Sequence, residues 1–152
     1  MIPPAPVGRT AFGLGIAGLL PQAAAAGLAL GREKAAALSY GIAAIYGALI
    51  LSFLGGMWWG IAMRREQGQD SLTAIAVVPS LVAGVILGWA AVLGDLSSPG
   101  PLVALGVAIM LTLFVDRHLV TTGEAPEGWM RLRVPLSLGL GMLTIAAGLL
   151  GR

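Results

Sequence analysis

The sequence predicts an all-α fold, a polytopic membrane bundle of five transmembrane helices, and three observations lead there. Long stretches carry no charged residue, the longest being the 29 residues from Ala35 to Met63, between Lys34 and Arg64. As a helix that stretch would run roughly 43 Å, more than the ~30 Å of hydrocarbon in a bilayer. Of 152 residues, 57% are hydrophobic and only 11% charged, and the mean hydropathy is +0.90. So few charges cannot clothe a water-soluble domain of this size. The charges present gather in short connections between the apolar stretches.

The first span is read over 10–30, after a proline-rich lead of residues 1–9, and stops at Gly31 and the charged turn Arg32-Glu33-Lys34. Arg9, the apolar run Ala11 to Leu20, and Pro21 before Ala23 to Ala26 also fit a cleaved secretory signal. The unbroken apolar length of about 20 residues to Leu30 favours a retained helix. The second span covers 35–63, with Trp58 and Trp59 near its end, and the polar segment Arg64 to Asp70 follows. The third span covers 71–93 and contains Pro79. A tight loop with Asp95 and Pro99 leads to the fourth span, 101–120, which opens on Pro101, a favourable first-turn residue. Thr121 to Arg133 is read as the largest loop, with Trp129 as an interfacial anchor. The fifth span, 134–150, carries Pro135 in its first turn. Residues 1–152 thus form one helical domain, without an internal repeat.

Counting Lys and Arg orients the bundle. Arg9, Arg64, Arg65, Arg117, Arg131 and Arg133 fall on one face, and Arg32, Lys34 and Arg152 on the other. Six against three places the amino terminus in the cytoplasm and the carboxyl terminus in the periplasm. The absence of cysteine excludes disulfides and thiolate chemistry. The pI near 9.7 rests on a net charge of only +2, with arginines beside the spans, a pattern of membrane orientation rather than nucleic-acid binding.

Helices in lipid associate by close backbone approach. Small residues recur four apart in three spans: Ala44, Ala48, Ser52, Gly56 and Gly60; Ala76, Ser80, Gly84 and Gly88; and Ala104, Ala108 and Thr112. These runs, two containing GxxxG, are expected to pack spans two, three and four together, so that Gly56→Leu or Gly84→Leu would force them apart. The competing explanation is a composition rich in small residues.

Polar residues within or beside the spans are the candidate site. Asp116 follows Thr112 on the small-residue face and points toward the bundle, where a carboxylate needs a partner. Arg131 and Arg133, on the same membrane face, are its expected partners, and Arg117 is adjacent. This set reads either as a structural ion pair or as a proton or headgroup site. Gln22 follows Pro21, and its amide can satisfy the carbonyl that proline frees, or it can meet a ligand or another helix. Ser80 after Pro79 repeats the arrangement. Trp58 and Trp59 point about 100° apart, so at most one faces the bundle. His118 is the one histidine, so no metal is expected, and no cofactor is implied. Gly13, Gly15 and Gly18 spell GxGxxG inside an apolar helix with no preceding strand, which is not a dinucleotide site.

Several segments together resemble a known family: LGIAGLLPQ (14–22), YGALILSFLGGMWWG (46–60), VPSLVAGVILGW (78–89) and RLRVPLSL (131–138), with Asp116-Arg117 before the last. The family is the small multi-span family of unknown function that includes the eukaryotic transmembrane protein 69. The resemblance covers nearly the whole chain; it implies a bacterial inner-membrane protein with a retained first span, and no assigned reaction.

With no enzyme signature and many small-residue faces, the chain reads first as an accessory or assembly partner of a larger membrane complex, a respiratory one among the candidates. Its partners would be membrane lipid and other membrane subunits, not nucleic acid. The alternative is a lipid- or quinone-handling enzyme or carrier, with a pocket between spans two, four and five. Ion or proton transport fits less well, because ionisable residues are scarce inside the spans.

Overall fold

The computed structural model of the protein describes residues 6–31, 33–94 and 98–151. Arg32, Asp95 and Arg152 lie outside the described residues, as do residues 1–5 of the lead. Six helices follow one another: α1 (Arg9–Ala17), α2 (Leu20–Leu28), α3 (Glu33–Ala62), α4 (Gln69–Val92), α5 (Pro99–Thr121) and α6 (Trp129–Leu150). Taken end to end, α1 and α2 make one apolar stretch. With the other four they give five spans long and apolar enough to cross a membrane.

Three of the expected spans match their helices to within two residues; the first and fifth differ. The first is broken at Gly18–Leu19. Pro21 has no N–H to continue the helical ladder, and the chain passes this point through the tighter bonds Gly18 N to Gly15 O and Leu19 N to Ile16 O, each 3.0 Å. At the break the Tyr46 hydroxyl donates to Gly18 O at 2.6 Å. Gln22, expected to satisfy the carbonyl that Pro21 frees, bonds elsewhere. Ser80, expected to serve Pro79 in the same way, is exposed and makes no hydrogen bond among the described residues. The fifth span begins at Trp129, not Val134, so Pro135 sits inside α6, and Arg131 and Arg133 are helical residues rather than the end of a loop.

The longest packing seams run between α5 and α6 and between α3 and α4, with α2 laid against α3 and α6. The α5–α6 seam is a backbone crossing: a Cβ added to Gly106 would lie 2.6 Å from Gly141 O, and one added to Gly141 2.7 Å from Gly106 O. Gly148 extends it, with Leu102 Cβ 2.8 Å from the corresponding position. Along the α3–α4 seam the carbonyl of Ala76 occupies the space where a Gly55 side chain would begin. The expected packing glycines are elsewhere. Gly56, Gly60, Gly84 and Gly88 face outward, and a Cβ on any of them would meet no atom of a neighbouring element within 4 Å among the described residues.

A helix turns 100° per residue, so each four-residue step overshoots a full turn by about 40° and a run of five walks about 160° around the helix. Ala44 and Ala76 are accordingly buried, whereas Ser52, Gly56, Gly60, Ser80, Gly84 and Gly88 lie outside; on α5, Thr112 is buried, Ala108 half-buried and Ala104 exposed.

Large apolar side chains cover the outer surface, among them Phe114, Val85, Trp89 and Leu14, as a lipid-facing surface requires. One end of the bundle gathers Val7, the α3–α4 turn and the α5–α6 loop. There Val7 N donates to Glu127 O at 3.1 Å, and Arg65 pairs with Glu124. Gly123, at φ 73°, ends α5 in a Schellman turn, Glu124 N donating to Leu119 O and Gly123 N to Val120 O. The opposite end gathers Ala29, Ala36, Pro99 and Gly151.

Candidate functional site

Asp116 lies on α5 ten residues beyond the Gly106 crossing, about 15 Å along the helix axis. The crossing brings α5 and α6 close enough for Asp116 to meet the first two turns of α6. Its carboxylate is fully buried, and Arg133 is only 4% exposed. Arg133 Nε donates to Asp116 Oδ2 at 2.7 Å. Two indoles donate to the other oxygen: Trp58 Nε1 at 3.0 Å and Trp129 Nε1 at 3.2 Å. Arg133 Nη2 reaches Thr112 Oγ1 at 3.4 Å, and that hydroxyl donates to Ile109 O at 2.6 Å. Helices α3, α5 and α6 thus converge on one carboxylate.

Physical reasons select these partners. A buried carboxylate is costly unless paired and hydrogen-bonded, and here three N–H donors surround it, one of them from a cation. Trp129 and Arg133 are four apart on α6 and share a face, whereas Arg131 is two positions from Arg133, about 200° around the helix. Arg131 is exposed and makes no ion pair among the described residues, as are Arg117 and His118. Trp58 is 2% exposed and Trp59 43%, so one indole of the adjacent pair enters the bundle.

Of the candidates expected from sequence, Asp116, Arg133 and Trp58 meet here, joined by Thr112, expected only to pack. Trp129, expected as an interfacial anchor, is a member of the site that its sequence context does not announce. The i, i+4 spacing to Arg133 is the signal that would have found it, once α6 is known to start at Trp129. Among the described residues no cluster of histidine and carboxylate side chains could hold a metal.

A second polar group lies deeper. Gln22 Nε2 donates to Thr144 Oγ1 of α6 and to Ala43 O of α3, the latter at 3.3 Å, while Thr144 Oγ1 donates to Leu140 O at 2.7 Å. Gln22 therefore ties the first span to two others, one of the two roles expected for it. Gln22 Oε1 and Ser137 Oγ are buried without a hydrogen-bond partner among the described residues.

Beside the Asp116 cluster a groove of about 510 Å³ opens between the first span, α3 and α6. Its walls are apolar, from Leu14, Ile50, Phe53, Met57, Leu132 and Leu136, and its polar members are Tyr46, Trp129 and Arg133. The Tyr46 hydroxyl and the Trp129 indole already donate to Gly18 O and Asp116. Arg133 Nη1 has no hydrogen bond among the described residues. The volume falls within the ~300–1,000 Å³ typical of small-ligand sites. A larger groove, about 830 Å³, lies between α3 and α4 at the other end, lined by residues such as Ala37, Gly41 and Leu87. Among the described residues no buried ion pair borders it.

Fold and site together define a polytopic membrane helical bundle with the Asp116–Arg133 ion pair in its interior. The chain belongs to the family described as a protein of unknown function, DUF3429, whose model matches residues 7–150. Neither the curated proteins nor the solved structures include a match.

Proposed function

We propose that this protein binds a lipid-soluble amphiphile in the groove between its first span, α3 and α6, within the bacterial inner membrane and with the amino terminus in the cytoplasm. The observation that carries this reading is a buried arginine in the wall of an otherwise apolar groove. Pure packing has no use for a guanidinium there, and the apolar walls suit a hydrocarbon tail. Asp116 accepts from three donors, which suits an anchor for Arg133 better than a free general base, so the reading is of binding, not of a reaction. The groove differs from the pocket expected between spans two, four and five, because the first span rather than the fourth supplies its third wall and Arg131 does not line it. Kinship with the eukaryotic transmembrane protein 69, suggested by SFLGGMWWG and RLRVPLSL, belongs to the same proposal.

Lipid mass spectrometry of the detergent-purified protein tests the reading. One amphiphile class should co-purify above its share of bulk membrane lipid and be lost from Ile50→Trp, which fills the groove. Recovery of bulk lipid alone, identical in parent and variant, would count against it.

A second reading, that the protein is an accessory or assembly partner of a larger membrane complex, is favoured by a separate observation. Gly56, Gly60, Gly84 and Gly88 present outward faces on which another helix could approach closely. Purification in mild detergent distinguishes it: a monodisperse lone chain would oppose it, and a co-purifying membrane subunit lost on Gly56→Leu would favour it.

A further inference from the structure

We infer that the head of the amphiphile held in this groove is uncharged and presents a carbonyl or ether oxygen to Arg133, because Asp116 has already neutralised that arginine. The inference rests on the groove being an amphiphile site. A lone arginine in an apolar groove would select an anion, such as a fatty acid carboxylate or a phosphate head. Here the guanidinium is committed through Nε to a carboxylate 2.7 Å away, and through Nη2 to Thr112. Both indoles that border the cluster also spend their N–H groups on Asp116, and among the described residues no second cation lines the groove to offset another negative charge.

An anionic head at the groove would share one cation with a buried carboxylate, and like charges across a single guanidinium in low dielectric repel strongly. It would also have to shed its hydration to enter apolar walls, at far greater cost than a neutral carbonyl. A neutral acceptor asks for one N–H donor and no charge. Arg133 Nη1 has no hydrogen bond among the described residues, and Arg133 lines the groove. Asp116 is then a specificity-determining residue that touches no ligand. It turns an arginine from an anion receptor into a neutral hydrogen-bond donor.

Two sources supply such a head: the ring carbonyls of a quinone and the ester carbonyl of an acylglycerol. Native mass spectrometry of the full chain in neutral detergent at pH 8, with a decyl-substituted benzoquinone, monoolein and oleate as probes, reads the preference directly. Binding of either neutral probe, with oleate weaker by roughly tenfold or more, is the expected result, and the tighter neutral probe identifies the source. Asp116→Asn, which frees the guanidinium charge, should reverse the order in favour of oleate. Oleate binding the parent as tightly as the neutral probes would overturn the inference while leaving the amphiphile reading in place. Binding of none of the three would remove both. The comparison on the parent decides the matter even if the variant fails to fold.

Discussion

Asp116 and Arg133 show how a single residue position decides the interior of this bundle. Burial of an isolated charge in a bilayer is prohibitive, so each of the two tolerates its location only through the other. Asp116→Ala leaves Arg133 buried without a counter-charge and should lower stability by about 3–5 kcal/mol. Thermal unfolding in detergent, followed by near-ultraviolet circular dichroism, would read this loss. Arg131→Gln and Arg117→Gln, at exposed positions, should stay within about 0.5 kcal/mol of the parent. The double change Asp116→Leu with Arg133→Met removes both charges and should recover much of the loss, as replacement of buried pairs by apolar residues often does. Equal destabilisation by Arg131→Gln and Asp116→Ala would mean the pair is wrongly assigned. Trp58→Phe removes one indole donor to Oδ1, a bond to a charged acceptor, and should cost about 1.5–3 kcal/mol in the same assay.

Between elements, glycines set the distances, and position around the helix decides which glycines matter. Gly106→Leu or Gly141→Leu would drive a side chain into the facing backbone, as would Gly55→Leu against the carbonyl of Ala76. These variants should accumulate poorly and elute as aggregates in size-exclusion chromatography. Gly56→Leu and Gly84→Leu, with open space at the would-be Cβ, should accumulate and melt like the parent. The reverse pattern would restore the four-residue stripes as the packing faces. The contrast also shows what the sequence could reveal. Span existence is a property of about 20 residues of hydropathy, so the apolar runs ending near Met63, Leu93 and Val120 were readable with small error. A packing face is a phase, and an error of one residue, Gly56 for Gly55, turns it by about 100°. The start of α6 was misplaced for a related reason. Pro135 resembles a first-turn proline, but Trp129 and Arg133 need the extra turns to reach Asp116 together. Asp116 itself was legible, since a carboxylate among apolar residues has to face inward. The groove was not, because it depends on how the broken first span lies against α3 and α6.

Across the whole molecule, the two ends differ in how they are fastened. At the end carrying the α3–α4 turn and the α5–α6 loop, Arg65 forms two hydrogen bonds to Glu124, which also accepts from Thr122 at 2.7 Å. The hydrogen bond from Arg65 holds the Glu124 carboxyl below its ordinary value near 4.5, partly opposed by burial. A depressed folded value means the stabilisation is complete above about pH 4.5 and fades as the pH falls through the lowered value. The melting temperature should therefore drop below pH 4.5 in the parent by more than in Glu124→Gln. Parallel acid profiles for the two would show that the clamp contributes nothing.

The same clamp makes a prediction about sidedness. Arg65 and Glu124 can pair only if the α3–α4 turn and the α5–α6 loop emerge on one side of the membrane, and the bond from Val7 N to Glu127 O places the amino-terminal segment there as well. Lys34, at the start of the 30-residue α3, must then emerge on the other side. The chain has no cysteine, so single cysteines report position without background. Gln67→Cys and Glu127→Cys, both at exposed positions, should resist an impermeant maleimide in intact cells and react in inside-out vesicles, because arginines concentrate at that end. Lys34→Cys should show the opposite behaviour. Reaction of Gln67→Cys and Glu127→Cys from the outside would invert the bundle but keep its fold. Labelling of Lys34→Cys from the same side as Gln67→Cys would mean that α3 does not cross the bilayer, and the site between α3, α5 and α6 could not be buried in it.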